Sequence, residues 1–187
     1  MTPFSKIVMI DCQVAGVAGD MFLGALLDLG ADASKITQAI KSLENPDFGY
    51  KDVIVDIQKV IRNGFAATKI DVTAQGKNRK DGNQLIKIVE ETSKNLGLSP
   101  KAKQFTSNVI HTLVDAEAKL HGQNGHLADA HLHEVGLVDS AAEIIGSAVA
   151  MEDLGLFDAK IVVSPVSVGG GLFKFSHGTL SIPSPAT

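Results

Sequence analysis

"KDVIVDIQKVIRNGFAATKIDVTA", residues 51–74, holds two partly alternating apolar runs joined through Asn63-Gly64. Alternation with a period of two belongs to a strand that buries one face. Asn and Gly both tolerate the positive φ that a two-residue hairpin turn demands, so the segment reads as an antiparallel hairpin. Upstream, "KIVMIDC" (6–12) reads as a buried strand and "QVAGVAG" as a glycine turn. A helix over 20–29, apolar almost all round, follows and closes at Gly30; a second helix spans 33–43. Downstream, Leu85, Ile88, Val89 and Leu96 form one stripe of a helix over 83–96. Ser99-Pro100 then opens a helix that runs to about His121, with serine as N-cap and proline in the first turn. Ser140 and Glu143 have the spacing of a capping box at the start of a last helix, which ends near Gly155. Residues 159–168 return as a strand, and a run of three glycines and a Pro-rich tail finish the chain. The order is β-α(α)-β-β-α(αα)-β. This predicts an α+β fold: one mixed sheet in a split βαββαβ, ferredoxin-like order, with extra helices packed on one face.

The 187 residues suffice for a single domain with a real core. With no Trp, one Tyr and eight Phe, aliphatic side chains must build that core. The first residues lack the pattern of a secretory signal, and no apolar run approaches the roughly 18 residues of a membrane span. Cys12 is the single cysteine and cannot form an internal disulfide, which fits a cytoplasmic location. Charge is uneven. Residues 1–104 hold 14 Lys/Arg against 12 Asp/Glu, whereas residues 105–187 hold 3 against 9 and all six histidines. A cation is therefore drawn to the C-terminal half. The basic cluster "KNRK" (77–80) has no aromatic neighbours, reads as a charged loop tip and gives little support to nucleic-acid binding.

Four places can carry chemistry. The turn "AGVAGD" (15–20) lies between a strand and a helix, where backbone amides can cradle an anion. Asp20 most simply caps the helix, yet together with Asp11 it also suits a metal–phosphate site. On the helix over 100–121, Val109, Leu113, Ala116 and Leu120 form the buried stripe. Glu117 and His121 sit at its edge, and His111 and Asp115 face water as a solvated pair. "AHLHEVGLVDS" (130–140) sets His131 and His133 on one side of an extended segment. Two imidazoles at that spacing can share a cation, with Glu134 or Asp139 adding oxygen; Ni, Zn, Cu and Fe all suit the set, and so does a polar loop with no metal. Last, Gly170 and Gly171 permit close approach to a ligand, and His177 lies in the loop beyond them.

Together, "DC…AGVAGDMFLGALLDLG" (11–30), "DAEAKLHG" (115–122), "HLHEVGLVDS" (131–140) and "SPVSVGGG…HGTLSIPSPAT" (164–187) resemble the nickel-insertion proteins that make the nickel-pincer nucleotide cofactor of lactate racemase. The resemblance implies a lyase-type nickel chelatase. It places Ni(II) into pyridinium-3,5-bisthiocarboxylic acid mononucleotide and uses CTP with Mg²⁺ or Mn²⁺. It makes His121, His131, His133, Glu134, Asp139 and His177 the polar positions of the matched motifs, and puts Asp11, Gly16, Gly19 and Asp20 in the N-terminal one. From the chemistry we expect Glu117, His121, His131, His133 and His177 as metal ligands and Glu134 and Asp139 as catalytic groups. Asp11, Gly16, Gly19, Asp20, Gly170 and Gly171 are then expected to hold the nucleotide. Many relatives carry a histidine-rich run where this chain reads "QGKNRK" (75–80), so a polyhistidine nickel store is not expected. Full-length relatives continue past the equivalent of "SPAT" into a domain with the CTP site. The chain is thus expected to be the N-terminal domain, with CTP bound through the part it lacks and with self-association into a homo-oligomer. A nickel carrier that needs a partner domain, and a metal-dependent hydrolase, are the other readings of the same ligands.

Overall fold

The computed structural model describes residues 6–76, 80–120, 138–175 and 178–183. The chain runs β1 (Ile7–Ile10), α1 (Gly19–Asp28), α2 (Ala33–Lys41), β2 (Tyr50–Arg62), β3 (Phe65–Gly76), α3 (Gly82–Asn95), α4 (Pro100–Leu120) and α5 (Val138–Asp153). It ends in β4 (Lys160–Val163), β5 (Gly171–Phe175) and β6 (Gly178–Ile182). The class is α+β, as expected.

Helix α5 is the hub. Ten of its residues from Val138 to Met151 are buried, on every side of the helix. A helix apolar all round must be covered all round, and α5 packs against α1, α2, α3, α4 and β3. Leu23, Ile36, Ile40, Leu43, Leu85, Val89, Ile110, Val114 and Ile145 are fully buried in the same core. Local chemistry sets the ends of the surrounding helices. Asp32 accepts from the Ser34 and Lys35 amides at 2.8 and 3.3 Å at the start of α2. Asp81 and Gln84 exchange bonds in a capping box on α3. The Ser99 hydroxyl accepts from the Ala102 amide at 3.3 Å before α4.

The hairpin forms as the Asn-Gly signal predicts. Asn63 and Gly64 have φ of 51° and 86°, and Arg62 pairs with Phe65 across the turn. The expected single mixed sheet in ferredoxin-like order does not form among the described residues. Three two-stranded sheets stand in its place: β1–β4 parallel, β2–β3 antiparallel and β5–β6 antiparallel. The tight turn lets 13- and 12-residue strands satisfy each other along their length, while β1 and β4 offer four residues each and pair together. Helices, not further strands, cover β3: α1 and α5 both pack on it. The run of glycines before residue 172 reads as a loop but leads into the β5–β6 hairpin, where Leu172 pairs with Ser181.

Helix α1 lies unusually close to β3. A Cβ placed on Gly24 would come within 2.4 Å of the Thr68 carbonyl oxygen. Asp28, at the end of α1, accepts from the Thr68 amide at 3.1 Å and from the Thr68 hydroxyl at 2.5 Å, which ties helix to ribbon. Ala in place of Gly in a helix normally stabilises by about 1 kcal/mol. Here Gly24→Ala pushes a methyl into backbone, so we expect a loss of about 1–3 kcal/mol in urea unfolding. A gain in stability would show that α1 and β3 are not in this contact.

Candidate functional site

The first strand leaves the core through a clamped turn. Asp11 Oδ1 accepts from the Gln13 amide at 2.9 Å and from the Ser164 hydroxyl at 3.1 Å. Ser164 Oγ in turn accepts from the Cys12 amide at 2.7 Å. The Cys12 carbonyl accepts from the Gly16 and Ser167 amides at 3.1 and 3.0 Å. Gly16 has a φ of +72°, and a Cβ there would come 2.7 Å from the Ser167 oxygen. The turn is thus fastened to the chain that leaves β4, and Asp11 serves that fastening. Cys12 is a buried hydrophobe at the edge of a cleft.

The turn delivers Gly19, the first residue of α1, against Glu143 of α5. A Cβ on Gly19 would sit 2.1 Å from a Glu143 oxygen, so the carboxylate occupies the space a side chain at this position would take. The Asp20 amide donates to Glu143. Asp20 therefore is not the helix cap: α1 has no side-chain cap, and Asp20 lies in its first turn, where the helix dipole favours an acid. The Ser140–Glu143 capping box is also corrected. Residues 138–140 are already helical, because the buried Val138 anchors the helix start in the core. Glu143 turns to Asp20 and not back to Ser140.

Glu143 stands between two hollows. On one side is an apolar cleft of about 510 Å³ bounded by Cys12, Phe22, Phe105, Val109 and Leu113. On the other is a small pocket of about 170 Å³ where Asp20, Asp71, Asp139 and Glu143 converge. Burial, then the Asp20 and Asp139 carboxylates, push the Glu143 carboxyl up to about 7. Burial, then Asp71, raise Asp139. Four carboxylates in one pocket attract a cation and repel a phosphate.

Of the expected site residues, Asp20 and Asp139 line this pocket. Glu117 is half-buried on α4, one turn beyond Leu113 on the face that borders the apolar cleft. The buried stripe of α4 is Ala102, Thr106, Ile110, Val114 and Ala118; Val109 and Leu113 flank it. His111 is exposed, as expected, but meets Glu90 of α3 at 3.3 Å. Gly170 and Gly171 lie at the head of β5 and border none of these hollows. His121, His131, His133, Glu134 and His177 lie outside the described residues. Among the described residues no group of three or more His, Cys, Asp or Glu is arranged to hold a metal ion. The chain that carries His131 and His133 joins α5 at Val138, next to Asp139. Glu143 and Asp71 escaped the sequence reading. The available signal was that Glu143 is the one charge in the otherwise apolar run from Ala141 to Met151.

A family model described as nickel insertion protein matches residues 8–187. The chain belongs to the nickel insertion protein family. A putative nickel insertion protein of Methanothermobacter thermautotrophicus is 35% identical over 181 residues, covering 97% of this chain and 43% of the relative. One of Geobacter metallireducens is 36% identical over 183 residues, covering 97% and 44%. The pyridinium-3,5-bisthiocarboxylic acid mononucleotide nickel insertion protein of Staphylococcus saprophyticus is 35% identical over 179 residues, covering 95% and 42%. The chain thus spans less than half the length of these relatives. No solved structure matches it. No helix among the described residues is long and apolar enough to cross a membrane.

Glu143 supplies a pH test. Its carboxyl, near 7 in the fold against 4.5 in an open chain, is protonated when folded and ionised when unfolded between those values. The fold therefore binds the extra proton, and stability falls as pH rises from about 4.5 through 7. Glu143→Gln keeps the acceptor for the Asp20 amide and removes the charge. Its stability relative to the parent should rise across that window, by about 1–2 kcal/mol given solvent screening, in urea titrations at several pH values. A difference independent of pH would place the carboxylate in water.

Proposed function

We propose that this chain is the nickel- and substrate-handling part of an enzyme that inserts Ni(II) into pyridinium-3,5-bisthiocarboxylic acid mononucleotide, a lyase-type chelatase. The observation that carries the reading is the acidic pocket at the start of α5, formed by Asp20, Asp71, Asp139 and Glu143. The histidine segment enters α5 at this point. Family membership supplies the metal and the substrate class.

The chemistry follows from ligand exchange. Ni(II) is the cargo and has to pass from the protein to two thiocarboxylate sulfurs. A closed thiolate cage would keep it, whereas imidazole nitrogen and carboxylate oxygen bind it and release it to sulfur. His121, His131, His133 and His177, with Glu117, are the proposed nitrogen and oxygen donors; Asp139 and Glu134 adjust the charge as the ion leaves. Glu143, poised near neutral pH, loses a proton when a dication arrives and regains it when the dication departs. An apolar cleft borders Glu143 on its other side. CTP with Mg²⁺ or Mn²⁺ is assigned to no residue of this chain. A carrier that hands nickel to a partner domain is the second reading, since the chain spans under half of its relatives.

His131→Ala or His133→Ala should weaken Ni(II) binding by about tenfold or more in calorimetric titrations, and should slow metallation of the mononucleotide in the full-length context. Parental nickel affinity and metallation rate in both variants would contradict the assignment. A carrier would bind nickel with the parental stoichiometry and show no affinity for the mononucleotide.

A further inference from the structure

Between Ser140 and Met151 the polar side chains of α5 are Ser140, Glu143 and Ser147. Spacings of three and four residues set them on one face of the helix. That stripe forms a wall of the apolar cleft of about 510 Å³ beside Glu143, a volume within the range of small-ligand sites. The other walls are apolar and come from three elements: Phe22 of α1, Phe105 and Val109 of α4, and Val163 of β4.

Packing does not account for Ser147. It is 4% exposed and lines the cleft, and among the described residues its hydroxyl has no hydrogen-bond partner. A buried hydroxyl left unmet destabilises a fold, and alanine would fill the same place without that penalty. The hydroxyl is thus available to a ligand. Glu143 sets the sign of that ligand's charge. It lines both the cleft and the acidic pocket, and Asp20 and Asp139 line the pocket beyond it. The potential at this wall is negative, so a cation is favoured over an anion. Apolar walls cannot replace the water around a bare metal ion, whereas an organic cation with a broad apolar surface gains by burial there.

We propose that this cleft binds the pyridinium ring of the substrate, with the ring faces against the apolar walls and its edge against Glu143 and Ser147. The inference rests on the reading that the substrate is a pyridinium mononucleotide, and it adds where the ring docks. Aromatic walls suit a planar group that carries a spread positive charge. The two thiocarboxylates are the groups that take up nickel, so the metal offsets their charge and Glu143 offsets that of the ring. Because Glu143 borders both hollows, a ring in the cleft lies next to the acidic pocket.

The probes are 1-methylnicotinamide, a pyridinium, and nicotinamide, its neutral counterpart of similar shape. Each is titrated into the 187-residue chain without nickel, above neutral pH, while amide resonances are followed. 1-Methylnicotinamide should shift the amides of Phe22, Val109, Ile144 and Ser147 saturably and leave Asn63 and Gly64 in place. It should bind about tenfold tighter than nicotinamide, and Glu143→Gln should bring the two probes to equal affinity. Ser147→Ala should weaken 1-methylnicotinamide by about threefold or more while resistance to urea is unchanged or raised, a split that a packing role would not give. No saturable shift at the cleft, equal affinity for nicotinamide in the parent, or parental affinity in either variant would overturn the proposal. The titrations contain no nickel, so the two readings fail separately. Binding of 1-methylnicotinamide without nickel insertion in the full-length context removes the chelatase and keeps the cleft. Insertion with a parental KM for the mononucleotide in Ser147→Ala removes the cleft and keeps the chelatase.

Discussion

The structure depends on the close approach of α1 to its two neighbours. Gly19 lets the Glu143 carboxylate of α5 lie against the start of α1, and Gly24 lets the middle of α1 press on the Thr68 carbonyl of β3. Gly146 of α5 brings that helix against Leu23 and Ile40, where a Cβ would stand 2.8 and 3.2 Å from their methyl groups. Glycine at these three crossings removes the side chains that would hold the helices apart. The consequence is electrostatic. α1, α5 and β3 each bring carboxylates, and the tight packing leaves Asp20, Asp71, Asp139 and Glu143 around one small, partly dry pocket. Burial and the neighbouring carboxylates raise Asp139 and Glu143 there.

Charge is then sorted across the molecule. The acids gather at the α1–α5 crossing, while Lys51, Lys80 and Lys87 line the β2–α3 cleft. The glycine turn after β1 has a mechanical part in this. Its hydrogen bonds to Ser164 and Ser167 fix the entry angle of α1, and hence the position of Gly19.

Much of the fold was legible from local chemistry. The Asn63-Gly64 turn, the Ser99-Pro100 start and the glycine-closed ends of α1 and α3 at Gly30 and Gly97 follow from turn and cap residues acting within a few positions. Sheet assembly was not legible. Whether β1 and β4 join the hairpin depends on what covers β3, and that is decided by α1 and α5 from distant parts of the chain. The site divides in the same way. Asp139 entered the sequence reading through its motif with two histidines, and it lines the acidic pocket. Glu143 was taken for a cap partner, since Ser-x-x-Glu spacing carries no information on whether a buried valine starts the helix two residues earlier. Lys80 lies in the loop before α3, as read, but a cation in a basic run gives no sign that an aromatic ring waits 4.7 Å away.

The proposed function puts Ni(II), held by the histidine segment, beside the carboxylate pocket where α1, β3 and α5 meet. Ni(II) is paramagnetic and broadens nuclear resonances near it, so amide spectra recorded during a nickel titration locate the ion directly. Substoichiometric Ni(II) should erase the amide signals of Gly19, Asp20, Asp71, Asp139 and Glu143, while those of Asn63 and Gly64 at the far hairpin turn stay sharp. If the pocket signals persist when one equivalent of nickel is bound, the ion lies elsewhere and the account is wrong.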